Sequence, residues 1–180
     1  MNVPVDEQRM QAMKQGGVDV ESLVLQDIAA DFIDNMQDDI LYLIGSGTTT
    51  AALMDSLALD NTLLGIDAIF NHELVGSDLG EQEILALLDD ARFPVAKIVV
   101  TVIGGQGHVF GRGNQQFSPE VIRRVGGDNI LIVATRNKLR SLDGRPLRID
   151  TGDVALDAEL TGMKQIITGY EQRTLYKLTA

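Results

Sequence analysis

Three stretches of this chain carry residue types able to hold an anion or move a proton. The first is Gly45-Ser46-Gly47-Thr48-Thr49-Thr50. Its two glycines open a turn, and its hydroxyls, with the first free N–H groups of a following helix, can donate to one anion. A tight turn ending in a threonine cap is the competing reading. The stretch is not a Walker loop, because no Gly-Lys-Ser/Thr ending follows, and it lacks the third glycine of a dinucleotide fingerprint. The second runs Gly104-Gly105-Gln106-Gly107-His108-Val109-Phe110-Gly111-Arg112-Gly113-Asn114-Gln115-Gln116. Glycine at that density is tolerated where the chain must take positive φ or let a ligand approach the main chain. Arg112 suits a phosphate, while Gln106, Asn114 and Gln115 offer amides to a base or ribose. His108 is a candidate base, with a structural or solvated histidine as its alternative.

The third is a set of acids. Asp67 ends an apolar run and is a candidate general base, with Asp78 and Glu81 after it. Asp150 and Asp153 flank Thr151-Gly152 and are the candidate metal ligands, although a turn with a helix cap accounts for them equally. No cluster has zinc or calcium spacing. A cationic run follows the glycine block: Arg112, Arg123, Arg124, Arg136, Lys138, Arg140, Arg145 and Arg148. Residues 1–103 carry 4 Lys/Arg against 18 Asp/Glu, whereas residues 104–180 carry 11 against 8. The positive segment suits a phosphorylated small molecule, with Lys138 among its contacts; solvated faces are the plainer account.

The elements that must position these residues alternate. Val18–Met36 has apolar residues at helical spacing, and Ile40–Ile44 is a short strand feeding the first glycine turn. A helix over Ala51–Leu59, a strand over Thr62–Phe70 and a helix over Glu81–Leu88 follow. The strand Ala96–Ile103 feeds the glycine block. Ser118-Pro119-Glu120 then reads as an N-cap, a first-position proline and a first-turn acid, opening a helix to Val125. Asn129–Ala134 is a strand, Thr135 or Asn137 caps a short helix through Leu139, and short strands follow from Leu147 onward, among them Met163–Thr168 and Thr174–Leu178. This order predicts a three-layer α/β domain over residues 18–180, with a mostly parallel, Rossmann-like sheet and extra short C-terminal strands. Residues 1–17, polar with two adjacent glycines, read as a linker-like segment. Ligands of such sheets sit at the carboxyl ends of the strands, where both glycine stretches fall.

Composition narrows the classes. The net charge of −11 argues against nucleic acid. The absence of cysteine excludes disulfides, thiolate metal sites and a cysteine nucleophile. No apolar stretch is long enough to span a membrane, and the first residues lack signal-peptide character, so a cytoplasmic protein without membrane association is expected. A homo-oligomer is expected.

Five segments resemble a known family when taken in order: I-G-S-G-T-T-T (Ile44–Thr50), L-L-G-I-D (Leu63–Asp67), I-G-G-Q-G-H-V-F-G-R-G-N-Q-Q-F-S-P-E-V-I (Ile103–Ile122), V-A-T-R-N-K-L (Val133–Leu139) and L-R-I-D-T-G-D (Leu147–Asp153). Together they look like the C-terminal region of the bacterial and archaeal ATP-NAD kinase-like proteins. The resemblance implies phosphoryl transfer from ATP to the 2′-hydroxyl of NAD, with a divalent metal such as Mg²⁺. It also implies an N-terminal kinase domain as partner. That domain carries Gly-Gly-Asp-Gly-Thr, of which Gly126-Gly127-Asp128-Asn129 matches only the first three positions. The chain is therefore expected to be the C-terminal part of a longer protein and to lack the kinase activity alone. A weaker resemblance, to ribose-5-phosphate isomerase and sugar-phosphate sensor domains, implies phosphate at Gly45–Thr50 and a sugar facing Asp67.

Overall fold

The structure is a computed structural model and describes residues 3–180. Helix α1 spans Val3–Asn35. Strand β1 (Leu41–Ile44) leads into α2 (Thr48–Ser56), and β2 (Ile66–Phe70) and β3 (Glu73–Leu79) form a hairpin ahead of α3 (Glu81–Asp89). Strand β4 (Ala96–Thr101) precedes β5 (His108–Phe110) and α4 (Pro119–Val125). Then come β6 (Ile130–Val133), α5 (Arg136–Arg140), β7 (Leu147–Ile149), α6 (Val154–Leu160), β8 (Gly162–Gly169) and β9 (Gln172–Thr179).

Among the described residues the strands form one sheet in the order β3-β2-β1-β4-β6-β8-β9-β7-β5. The run β1, β4, β6, β8 is parallel, as are β9, β7 and β5, while β1–β2, β2–β3 and β8–β9 are antiparallel. Strand β1 is buried on both faces, which is why its sequence is a continuous apolar run rather than an alternation. Tyr42 and Ile44 pack with Ile28, Phe32 and Leu53 of α1 and α2 on one face. Leu41 and Leu43 join the second cluster, with Ile84, Val121 and Ile122 of α3 and α4. Helices thus cover both faces, as the three-layer expectation required.

The sheet is also curled. Two residues beyond β4, Ile103 exchanges backbone hydrogen bonds with His108, the first residue of β5, at 2.7 and 3.0 Å. Strand β5 is the far end of the strand order, so this bridge makes a closed circuit of β4, β6, β8, β9, β7 and β5. Gly104 and Gly107, at φ +70° and +77°, make the turn between the bridged residues, and Gly107 N–H donates to Gly104 O. Gly111 seats the far side of the block. A Cβ there would stand 1.7 Å from Asp150 O, at a φ of +92°.

Several elements differ from expectation. Helix α1 begins at Val3, so residues 3–17, expected as linker-like, are helical and carry Gly16 and Gly17 inside the helix; residues 1 and 2 lie outside the described residues. Strand β3 carries Gly76 and acids that resemble a turn, so the sequence predicts no strand there. Its true signal is the pair Asn71-His72, both at positive φ, as a two-residue hairpin turn requires. Strand β5 was hidden by the glycines around it. Helix α6 was hidden in a segment read only for its acidic turn, and β8 and β9, at eight residues each, are the longest strands rather than short ones.

Gly111 gives a sharp test of the closure. Gly111→Ala is expected to lower unfolding free energy by about 2–5 kcal/mol, combining the positive-φ and overpacking costs. Gly105→Ala, which meets nothing within 4 Å and lies at no positive φ, should stay within about 0.5 kcal/mol. Denaturant titration of both variants checks this, and equal effects would contradict the packing argument.

Candidate functional site

Strand β1 feeds α2 and the β2–β3 edge, whereas β4 and its successors build the sheet in the other direction. The carboxyl ends of β1 and β4 therefore flank a topological switch point, the place where open α/β sheets take ligands. Both glycine stretches meet there. Ser46 Oγ donates to Gly113 O at 3.0 Å, tying the first turn to the glycine block. Gly47, at φ +135°, lies so close to Thr101 that a Cβ would sit 2.3 Å from Thr101 Cγ2.

Gly47 is the N-cap of α2 and has no side chain to give the helix a hydrogen bond. The first backbone bond of the helix runs from Ala51 N–H to Gly47 O, so the amides of Thr48, Thr49 and Thr50 precede the ladder. They form the anion-favouring end of the helix. The hydroxyls divide. Thr50 Oγ1 donates to Gly47 O at 3.1 Å and is buried, so it serves the turn, as Ser46 does. Thr48 is exposed, and Thr49 is buried. The anion chemistry of this loop thus rests on the helix amides and these two threonines, not on all of the hydroxyls.

Asp67 is occupied. It faces Ile44 across the β1–β2 pair and is 1% exposed. Its Oδ2 accepts from Thr62 N–H at 2.8 Å, and its Oδ1 accepts from the Thr62 hydroxyl and from Asp78 N–H. Three donors from its own chain hold this carboxylate as the anchor of the loop before β2. The residue expected as a general base, or as a group facing a sugar, is thus engaged by its own loop in this structure. The same contacts draw Thr62 out of the strand, leaving Leu63 and Leu64 exposed beside the site, where Gln116 Nε2 donates to Leu64 O. This apolar pair was read as part of a strand.

In the glycine block, Asn114 is buried and donates from Nδ2 to Val109 O at 2.8 Å, so its amide braces the block rather than reading a base. Its Oδ1 is buried without a partner, as is His108 Nδ1. Burial, then the charges of Arg112 and Arg148, lower the His108 pKa, and Asp150 opposes them. His108 is therefore held neutral over more of the acidic range than a free imidazole. Arg112, Gln115, Gln106, Gly104 and Gly105 are exposed at the surface of the block. Lys138 is half-buried on α5, beyond the carboxyl end of β6.

Asp150 and Asp153 do not come together as metal ligands. Asp153 caps α6, accepting from Leu156 N–H at 3.0 Å, and pairs with Arg123 at 2.7 Å. Asp150 is exposed, and its N–H donates to Phe110 O. Among the described residues no three His, Asp or Glu side chains gather to hold a cation. The described residues therefore offer no cage of three or more such ligands. Nor is any described helix long and apolar enough to cross a membrane.

A family model described as the ATP-NAD kinase C-terminal domain matches residues 37–178. No curated protein and no solved structure matches the chain.

The Arg123 guanidinium, then the α6 amides, hold the Asp153 carboxyl down at about 2. A carboxylate depressed on folding stabilises the native state above its unfolded pKa, and that contribution is lost as pH falls through the folded value. Acid titration of stability should therefore show Asp153 acting between about pH 4 and about pH 2. Asp153→Asn is expected to flatten the wild-type slope in that window, and an unchanged slope would contradict the assignment.

Proposed function

The chain belongs to the ATP-NAD kinase C-terminal domain family, and from that premise we propose that it binds a phosphate-bearing nucleotide at the switch point between β1 and β4. In the full-length protein this domain works beside an N-terminal kinase domain bearing Gly-Gly-Asp-Gly-Thr, which transfers phosphate from ATP to the 2′-hydroxyl of NAD. The observation that carries the reading is the α2 N-terminus. Three unbonded amides and no side-chain cap face the edge of the sheet where the glycine block arrives, pinned there by Ser46. In the proposed complex the amides and Thr48 hold a phosphate, while Arg112, Gln115 and Lys138 supply further contacts at the carboxyl edge. Among the described residues no three-ligand cage gathers for the metal that accompanies ATP, and no step of the chemistry is assigned to one in this domain.

The direction of α1 supports the partner. Its Val20, Glu21, Val24 and Asp27 line a cleft with Thr135 and Thr168 beyond the carboxyl ends of β6 and β8. Its Phe32 and Asn35 instead line one with Tyr42 and Lys97 near the amino ends of β1 and β4. The helix runs against the parallel strands, and its exposed residues 7–14 continue past the edge that holds the site. In the proposed full-length protein the kinase domain approaches from this side, where Leu63 and Leu64 are exposed.

A thermal-shift comparison of ATP, NAD, NADP and ribose 5-phosphate tests this. A bound nucleotide at a hundredfold excess over Kd should add about 2.7 kcal/mol of stability. Thr48→Pro removes one helix amide at a position where proline is tolerated, and it should weaken that ligand about tenfold through loss of a charged hydrogen bond. No shift with any nucleotide, or full affinity in Thr48→Pro, would contradict the proposal. A shift with ribose 5-phosphate alone would assign the site to sugar phosphates.

A further inference from the structure

A separate pocket of about 270 Å³ lies over the amino half of the sheet, but its buried Asp31 already faces the Arg173 guanidinium at 2.9 Å and accepts from Glu171 N–H. The more telling cavity is on the other side of the circuit. Gln106, Arg145, Pro146, Arg148 and Thr179 enclose about 260 Å³, with no Asp or Glu in the lining. That is unusual in a chain with a net charge of −11. Its two guanidiniums, unlike those of Arg92, Arg123, Arg124 and Arg173, have no carboxylate partner among the described residues.

We propose that this pocket is a second anion site, built by Arg145 and Arg148 with Gln106 and Thr179, and that it takes a phosphate dianion, free or as a small monoester. Arg145 is set in place before any ligand arrives. Its Nε donates to Leu142 O at 2.9 Å and its Nη2 to Gly105 O at 3.3 Å, so little side-chain freedom remains to be lost on binding. Arg148 stands opposite His108 in the β5–β7 pair, on the exposed side of a strand whose Leu147 and Ile149 point into the core. Its backbone N–H donates to Gly107 O, which fixes its distance from the glycine turn. Gln106, at the tip of that turn, and Thr179, beside Arg148 in the β7–β9 pair, add neutral donors. The depressed His108 pKa is consistent with this field: burial lowers it first, the charges of Arg112 and Arg148 lower it further, and Asp150 opposes them. None of the α2 amides takes part, so this site stands or falls apart from the proposed nucleotide site.

Calorimetry with inorganic phosphate and with glycerol 3-phosphate, at constant ionic strength, measures the binding. The expected result is saturable binding that Arg148→Gln weakens at least tenfold and Gln106→Ala weakens by a smaller factor, with Thr48→Pro leaving it unchanged. Arg148 is the better target because Arg145 also braces the glycine turn. Equal affinity for both ligands identifies phosphate as the recognised group, and tighter monoester binding identifies the ester. The two histidines of the chain provide an independent readout by NMR. Sulfate, a dianion across the titration range, should raise the His108 pKa and leave His72, in the β2–β3 turn, unmoved. In Arg148→Gln the His108 pKa should already be higher and no longer respond. Unchanged phosphate affinity in Arg148→Gln, no saturable binding, or parallel sulfate shifts at both histidines would overturn the proposal.

Discussion

The reciprocal hydrogen bonds between Ile103 and His108 turn an open sheet into a closed circuit. Without them β5 would be a three-residue edge strand held only by β7, with its other side unpaired. With them the chain leaving β4 is folded back in six residues, and Val109 and Phe110 are delivered into the core beside Phe117. The cost is backbone conformation. Gly104 and Gly107 supply positive φ in the turn, and Gly111 supplies the absent side chain where the block crosses Asp150. The glycine density is first a requirement of closing the sheet.

That closure also places the chemistry. Gly113 ends the block beside the first turn, so one hydroxyl, Ser46 Oγ, is enough to fix the two glycine segments together at the switch point. The Gly104–Gly107 turn carries Gly105 O and Gly107 O to the other side of the circuit, where they hold Arg145 and the backbone of Arg148. One loop thus presents two faces. One is tied to the first turn through Ser46 and Gly113, and the other contributes Gln106 to the lining of the pocket that holds Arg145 and Arg148.

The sequence reading recovered what local chemistry determines. Ser118-Pro119 starts α4 as read, Thr135 caps α5, and the parallel strands follow from their apolar runs. What the loops do with their own polar side chains was not legible, although the partners of Asp67, Thr50 and Asn114 lie only three to eleven residues away in the chain. Asp67 looked like a free strand-end acid, and only the folded chain shows Thr62 and Asp78 returning to it. Ser46, Thr50 and Asn114 are the residue types that bind ligands, but they are also the types that tie loops, and three-dimensional neighbours decide between those roles. The pocket formed by Arg145 and Arg148 was visible only as part of a cationic run, because its geometry depends on β7 lying beside a turn some forty residues earlier in the chain. The family was legible because its residues cluster in such loops, whereas a curled circuit leaves no mark on periodicity.

Amide hydrogen exchange measures the closure directly. If the bridge holds the circuit together, the N–H groups of Ile103 and His108 exchange as slowly as those within β4, while Gly105, between them, exchanges at the rate of an open loop. Rapid exchange at Ile103 and His108, matching Gly105, would mean that the sheet is open at this point. The shared origin of the two sites would then be lost.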